Sequence, residues 1–425
     1  MLVSGNIGAW VFWLVALGTG SMLYFMVGKF SLGAWLSYES GGLVVDSMVG
    51  NVSLLILIVM IVTSAVCSRD AGSANRGELV LMSVLGFVVF LVFVSDSWLM
   101  FYVAYEGSLI PLIMGVVWFG GYMERLESVL FMMFYMVVFS VPMVVYLLVS
   151  MWGGISMKMG MWGISVGSWV GSLLLGMMLV KVPIYGLHGW LPKVHVEAPS
   201  WGSVVLAAVM IKMGLYGMWR LGEEGFSSDS GLWLLWLWAL AGILVCSMLC
   251  MMNSDLKRVV AYSSVVHMGG ALWLGGLGLV SGGRGLLIVM LMHGVVSAAL
   301  FMMVGVMGEL GGSRSMLVLG ALVEMISVAG ILLVCGFVLN IGFPCSGNML
   351  GELEIIFNLC GVWSLGAVIV GMIMILGCLF NVFVLSTLFS CKITEAEAFT
   401  EGTGVSSSIM MGFSVSGLIV LGALI

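Results

Sequence analysis

The chain has 425 residues, 62% hydrophobic and only 8% charged, with a formal net charge of −6 and a mean hydropathy of +1.23. A water-soluble domain needs about a quarter of its residues charged, so a soluble fold is excluded and an integral membrane protein is expected. The charge is spread over short loops with no long basic run, which argues against nucleic acid as a partner and leaves lipid as the surroundings.

From the N-terminus onward, apolar runs recur at the length of roughly 20 to 25 residues that a helix needs to cross about 30 Å of hydrocarbon. Runs such as LLILIVMIVTSAV and VLMSVLGFVVFLVFV are apolar on every face, whereas a barrel strand would alternate. The expected fold is therefore all-α, a polytopic transmembrane helix bundle. Its thirteen candidate spans are 6–28, 48–67, 78–95, 97–119, 127–152, 167–191, 199–219, 231–252, 259–279, 285–307, 318–359, 363–389 and 408–425. The first lacks the charged start and cleavage site of a signal peptide and is expected to stay.

Two spans are expected to be broken, the sixth near Lys181-Val182-Pro183 and the eleventh at Asn340-Ile341-Gly342-Phe343-Pro344. Proline removes a backbone donor and clashes with the preceding turn, so each break frees polar groups that only a protein-lined, hydrated interior satisfies. Spans three to seven form one group of five and spans eight to twelve another, with the broken helix fourth in each. A repeat with an odd number of crossings sits upside down relative to its copy, the inverted-repeat plan of many transporters. The expected organisation is 1–77 as N-terminal helices, 78–219 and 231–389 as two inverted five-helix repeats, and 408–425 as a C-terminal helix. Glu106 and His267 hold corresponding second-helix positions, and Lys181 and Glu352 lie in the two broken helices.

Loops after even-numbered spans carry Arg69, Arg76, Arg125, Lys193, Lys257, Arg258, Arg314 and Lys392, and those after odd-numbered spans carry Lys29, Lys158, Arg220 and Arg284. The excess puts the even side, with PKVHVEAP, inward, the N-terminus inside and the C-terminus outside. Abundant Gly, Val, Met, Trp, Phe and Leu, scarce Pro, His and Lys, and no Gln at all read as strand-biased codons of a small, mitochondrial genome. The eight cysteines lie mostly in apolar segments without paired spacing and read as small buried residues; Cys246 and Cys250 are one helical turn apart. No iron–sulfur, zinc, haem or nucleotide motif is found, so no cofactor or metal is expected in this chain.

Ionisable residues left inside hydrocarbon are the candidates for chemistry, because each costs about 2.5 to 3.5 kcal/mol at a helix centre unless a partner or water compensates. They are Glu106 in WLMFYVAYEGSLIPLIMGVVWF, Lys181 at the first break, Lys212 in VVLAAVMIKMGLYGMW and Glu352 in NMLGELEIIF. Desolvation disfavours charge and an opposite charge restores it, so a buried Glu106–Lys181 pair would be switchable; the plainer reading is a static ion pair joining two helices. Histidine passes protons near neutral pH; His267 and His293 are mid-span, and His188 and His195 flank the first break, although any one of them could be a neutral side chain satisfied by a carbonyl. Glu124, Arg125, Glu127, Glu223, Glu224, Asp229, Glu395, Glu397 and Glu401 read as solvated loop residues, and Asp255, Lys257 and Arg258 as a helix start.

KVPIYGLHGWLPKVHVEAPSWGSVVLAAVMIKMGLYGMWR, followed by SDLKRVVAYSSVVHM and HGVVSAALF, resembles the antiporter-like membrane-arm subunits of mitochondrial NADH:ubiquinone oxidoreductase, respiratory complex I, and among them the chain 4 type. The likeness runs from YEGSLIP to NMLGEL. It implies a proton-translocating subunit of the mitochondrial inner membrane, with NAD, FMN, iron–sulfur clusters and ubiquinone in partner subunits and the related chains 2 and 5 among its neighbours. Glu106 matches the glutamate of the FEATLIP-type motif, Lys181 the lysine opening the KMPLYGLH-type motif and Lys212 the later LLKLGGYG-type lysine. Glu352 matches the terminal residue of the half-channel, where chains 2 and 5 place lysine. The resemblance further implies that Glu106 modulates Lys181, with Lys212 and His267 or His293 relaying protons to Glu352. The family usually has fourteen spans, and this N-terminus offers one where two are expected before 48–67. A cation/proton secondary antiporter subunit shares this fold and these charges and is the rival reading; a structural scaffold ranks third.

Overall fold

The structure is a computed structural model that describes residues 38–40, 43–67, 76–121, 123–154, 158–159, 168–223, 232–276, 280–325, 327–344, 346–362 and 364–390. The expected spans 6–28 and 408–425 lie outside the described residues.

Lipid offers a peptide group no hydrogen-bond partner, so each apolar run closes its own helical ladder. The described helices are α1 (Ser47–Cys67), α2 (Arg76–Val94), α3 (Trp98–Gly107), α4 (Leu109–Phe119), α5 (Arg125–Trp152), α6 (Ser168–Lys181), α7 (Trp190–Glu197), α8 (Ser200–Val205), α9 (Ile211–Glu223), α10 (Leu232–Met252), α11 (Leu256–Gly276), α12 (Val280–Gly311), α13 (Met316–Met325), α14 (Ser327–Ile341), α15 (Gly347–Val362) and α16 (Ser364–Ser390). Among the described residues, six helical rods are long and apolar enough to cross a membrane. An all-α reading misses one antiparallel hairpin, β1 (Tyr38–Ser40) with β2 (Leu43–Val45), ahead of α1.

Where the runs break, proline or glycine is present. The 97–119 run divides at Ser108, because Pro111 lacks the N–H that the Gly107 carbonyl would use, and the Ser108 hydroxyl donates back to the Tyr105 carbonyl at 2.7 Å. The 167–191 run stops at Lys181, turns through Pro183 and Gly186 (φ 92°) and resumes as α7. PKVHVEAP, expected in a loop, is mostly this second half-helix, since Trp190, Leu191, Val194 and Val196 are all buried. In the 318–359 run, α14 ends at Ile341, Gly342 adopts φ 77° and α15 starts at Gly347. A Cβ at Gly342 would stand 3.1 Å from Glu352 Oε2, so this break and that carboxylate abut.

The rods Ser200–Gly222 and Gly282–Gly311 are buried along most of their length and form the centre. At the rim, α5 exposes Leu130, Phe134 and Val145, and α16 exposes Met372 and Ile375, apolar surfaces of the kind lipid covers. Between α8 and α9 the central rod widens into a π turn, Leu206–Met210, where Ile211 N–H reaches back five residues to the Leu206 carbonyl. Gly294 of α12 lies against it: a Cβ there would sit 2.7 Å from Leu55 Cδ2 and 3.2 Å from the Ala208 carbonyl oxygen. Gly294→Val is therefore expected to push α12 off the π turn and to cost about 1–3 kcal/mol by overpacking. A lowered Tm in detergent would show it; an unchanged Tm would mean the contact has slack.

Candidate functional site

Lys181 ends α6 with its side chain 1% exposed, one of the largest buried side chains in the bundle. Its Nζ donates to the Tyr105 carbonyl at 2.6 Å, lies 3.5 Å from Ser108 Oγ, and stands 3.2 Å from the centroid of the Tyr105 ring. The same carbonyl also accepts from the Ser108 hydroxyl, and the ring face attracts the cation electrostatically. Tyr105 is held in turn, its hydroxyl donating to the Met177 carbonyl of α6 at 3.1 Å. Glu106, the expected ion-pair partner, is half-buried and makes no pair with Lys181 within 4.0 Å. Tyr105 makes the close contact, and Glu106, the next residue, stays near enough for its charge to act on Lys181.

Lys212, fully buried, follows the π turn directly. Its Nζ donates to the Ala207 carbonyl, a group of that turn, and lies 3.1 Å from His293 Nδ1 on α12. An ammonium has three donors and no acceptor, so His293 Nδ1 accepts and its ring proton belongs on Nε2. The His293 and His267 rings are 5.5 Å apart, tilted by 49°. His267 Nδ1, on α11, lies 3.2 Å from Glu352 Oε1 on α15. A carboxylate only accepts, so His267 donates through Nδ1 and, when neutral, leaves Nε2 as an acceptor. Both Nε2 atoms are buried without a hydrogen-bond partner. Four elements thus contribute one ionisable group each to a continuous file, Lys212, His293, His267 and Glu352.

Lys181 is not in that file. Helices α6 and α9 pack together, but each lysine is held by a carbonyl of its own. His188 lies apart as well: it is half-buried in the turn after α6, accepts from Gly186 N–H at 3.2 Å and stacks on Tyr185 at 5.3 Å. His195, on α7, is fully buried and stacked flat on Phe301 at 4.4 Å, and neither ring nitrogen has a hydrogen-bond partner.

Sequence reasoning missed Tyr105, although it adjoins Glu106, and it missed the Ala207 carbonyl, because the π turn has no proline or glycine to announce it. It also passed over the buried Asn340–Asn381 pair, 3.2 Å apart, that ties α14 beside its break to α16. Asparagines in these two apolar runs were the available signal.

The family described as "NADH:quinone oxidoreductase/Mrp antiporter, TM" matches residues 95–391, a stretch that contains every candidate residue. Among curated relatives, the NADH-ubiquinone oxidoreductase chain 4 of Branchiostoma lanceolatum is 36% identical over 283 residues, covering 62% of this chain and 60% of its own length. That of Danio rerio is 34% identical over 311 residues, covering 70% and 66%. The match thus spans somewhat under two thirds of these relatives. Among solved structures, a chain of Thermus thermophilus respiratory complex I with bound NADH superposes at a TM-score of 0.78 and 21% identity, over 97% of this chain and 91% of that one. A chain of the Mrp complex from Dietzia sp. reaches 0.80 at 15% identity, over 99% and 90%, and both show a shared fold. With a family match across the whole file of ionisable side chains, the chain belongs to the transmembrane NADH:quinone oxidoreductase/Mrp antiporter family.

Proposed function

We propose that this chain is a proton-translocating, antiporter-like subunit of respiratory complex I in the mitochondrial inner membrane. The observation that carries the reading is the file Lys212–His293–His267–Glu352, whose links at 3.1 and 3.2 Å flank two facing imidazoles. The tautomers dictated by the two ends fit a relay. A proton passed from Lys212 to His293 Nδ1 releases the one on Nε2; His267 accepts it at its own Nε2 and releases from Nδ1 to Glu352. One Nε2 is then a donor and the other an acceptor, both buried without a hydrogen-bond partner, and in this reading a bridging water carries the proton between them.

In this reading Lys181 is the gate. Close to an ionised Glu106 it holds its proton; when Glu106 moves away or is neutralised, it releases charge towards Lys212 across the α6–α9 contact. Moving one charge against each 100 mV costs about 2.3 kcal/mol, so energy must come from elsewhere: NADH oxidation and ubiquinone reduction on NAD, FMN, iron–sulfur clusters and ubiquinone held by partner subunits. The related chains 2 and 5 are the proposed neighbours in the membrane arm. We further read 78–219 and 231–389 as inverted five-helix repeats, each with its fourth helix broken, within about thirteen spans, the N-terminus facing the matrix and the C-terminus the intermembrane space.

The rival, a cation/proton secondary antiporter subunit, is favoured by the Mrp fold likeness and would exchange Na⁺ or K⁺ for protons without NADH. In vesicles holding the assembled complex, Lys181→Ala and Glu106→Ala are expected to stop NADH-driven proton pumping while the chain stays incorporated. Undiminished pumping with lost assembly would make the chain a scaffold, and NADH-independent cation exchange would make it an antiporter.

A further inference from the structure

From residue 327 to residue 390 the only charged side chains are Glu352 and Glu354, and the file of ionisable groups uses only the first. We infer that the outward face of α15, centred on Glu354, is the docking face for a membrane-spanning helix of a neighbouring subunit that presents an arginine or a lysine to this carboxylate.

The depth of Glu354 follows from Glu352. Glu352 Oε1 lies 3.2 Å from His267 Nδ1, and His267 falls at the middle of α11, whose 21 residues match one crossing of about 30 Å of hydrocarbon. Glu354 is two residues, about 3 Å, further along. It therefore stands near mid-membrane, with roughly 15 Å of hydrocarbon to either surface. Side chains two residues apart on a helix diverge by about 160°, so Glu354 points away from His267. Gly351, Ile355 and Leu359 form the buried face of α15, and a Cβ at Gly351 would stand 2.6 Å from Val289 Cγ2 on α12. Leu350 and Phe357, 51% and 70% exposed, form the outward face together with Gly361, where an added Cβ would meet nothing within 4 Å. Glu354, half-buried, lies on this stripe, four residues after Leu350 and three before Phe357.

Lipid cannot satisfy such a group. Glu354 Oε2 has the Asn358 amide at 3.4 Å, and that amide nitrogen donates at 2.8 Å to the Glu354 backbone carbonyl. Among the described residues no cation lies within 4.0 Å of the carboxylate. A long basic chain could snorkel from this depth, and a glutamate is too short to do so. Protonation would remove the charge but leave a hydroxyl and a carbonyl facing hydrocarbon. A lipid headgroup stays at the interface and does not reach mid-membrane. The stripe offers a carboxylate, an apolar anchor in Phe357 and a glycine that admits close backbone approach, which together fit a helix carrying a cationic donor.

The inference rests on the chain being a subunit of a complex and not on the relay, and the test keeps the two apart. In the purified complex, Glu354→Gln is expected to raise the fraction of this chain that separates from its neighbours in detergent on the order of tenfold, because removing one partner of a buried charge pair acts on dissociation. Glu354→Asp should recover part of the loss, and complexes that stay intact should pump at the native rate. A glutamine variant held as firmly as the native chain overturns the docking face. So does an intact variant complex that no longer pumps, which would make Glu354 a proton group, and so does finding that the neighbour released is a second copy of this chain. Should the glutamine variant not assemble, a lipid-soluble carbene probe decides on the unmodified complex. Leu350 and Phe357 left unlabelled while other outward-facing helices take up label supports the proposal, and label on both overturns it. Recovering the native chain from membranes with no other subunit attached would sink the subunit reading itself.

Discussion

Lys212→Met is expected to abolish proton translocation in the assembled complex while leaving the bundle packed. Methionine keeps an unbranched chain of similar length but removes the ammonium, so the side chain still fills its fully buried site while the bridge from the Ala207 carbonyl to His293 Nδ1 disappears. His293 then has no donor on the near side, and the file begins one residue too late. Removing a positioned proton carrier lowers a rate by about 10²–10⁴-fold. A pH-sensitive dye in NADH-energised vesicles gives the readout. A variant retaining more than about a tenth of native pumping would remove Lys212 from the path, since that exceeds the least loss expected for such a group.

Arg220→Ala is expected to have the largest effect on stability. Arg220 Nη2 pairs with Asp46 Oδ2, and Nε donates to the Tyr216 hydroxyl at 3.0 Å, which itself donates to the Phe93 carbonyl at 2.9 Å. The two charged side chains are only 12% and 9% exposed. The Asp46 backbone carbonyl accepts from Gly50 N–H at 2.9 Å at the start of α1, so the pair fixes that helix to the end of α9. Deleting one partner of a buried pair strands the other charge, at a cost of about 3–5 kcal/mol. The double variant Asp46→Leu with Arg220→Met should recover much of this, because well-packed apolar replacements of buried pairs are near neutral. Thermal unfolding in detergent, followed for the single and double variants, measures both; a single variant as stable as the native chain would show that water reaches Asp46.

The membrane class and the two breaks were legible because they rest on composition and on proline, both local. Lys181, Lys212 and Glu352 stood out for the same reason: a charge in an apolar run is visible without knowing its neighbours. What was not legible was pairing. Glu106 acts on Lys181 through its charge, but the close contact is made by Tyr105, one residue earlier, and only the packing of α3 beside α6 decides which of the two lies nearer. Lys257 read only as part of a helix start on the inner face, and it is buried, with the Arg314 turn beside it, where Leu256 N–H donates to the Arg314 carbonyl at 3.2 Å. The meeting of His293 with His267 depends on how the successive helices α11 and α12 pack, which no local pattern announces.

The π turn at Leu206–Met210 holds a surplus residue, and everything after it on the central rod inherits the offset. Deleting one residue there would let an ordinary helix re-form, but it would swing Lys212 by about 100° and slide it about 1.5 Å along the axis. Glycine at 294 already sits against that swelling, so the neighbouring rod is shaped to the offset as well. The irregularity is thus a phase lock: the chain cannot tidy its backbone in this place and still keep an amine opposite an imidazole.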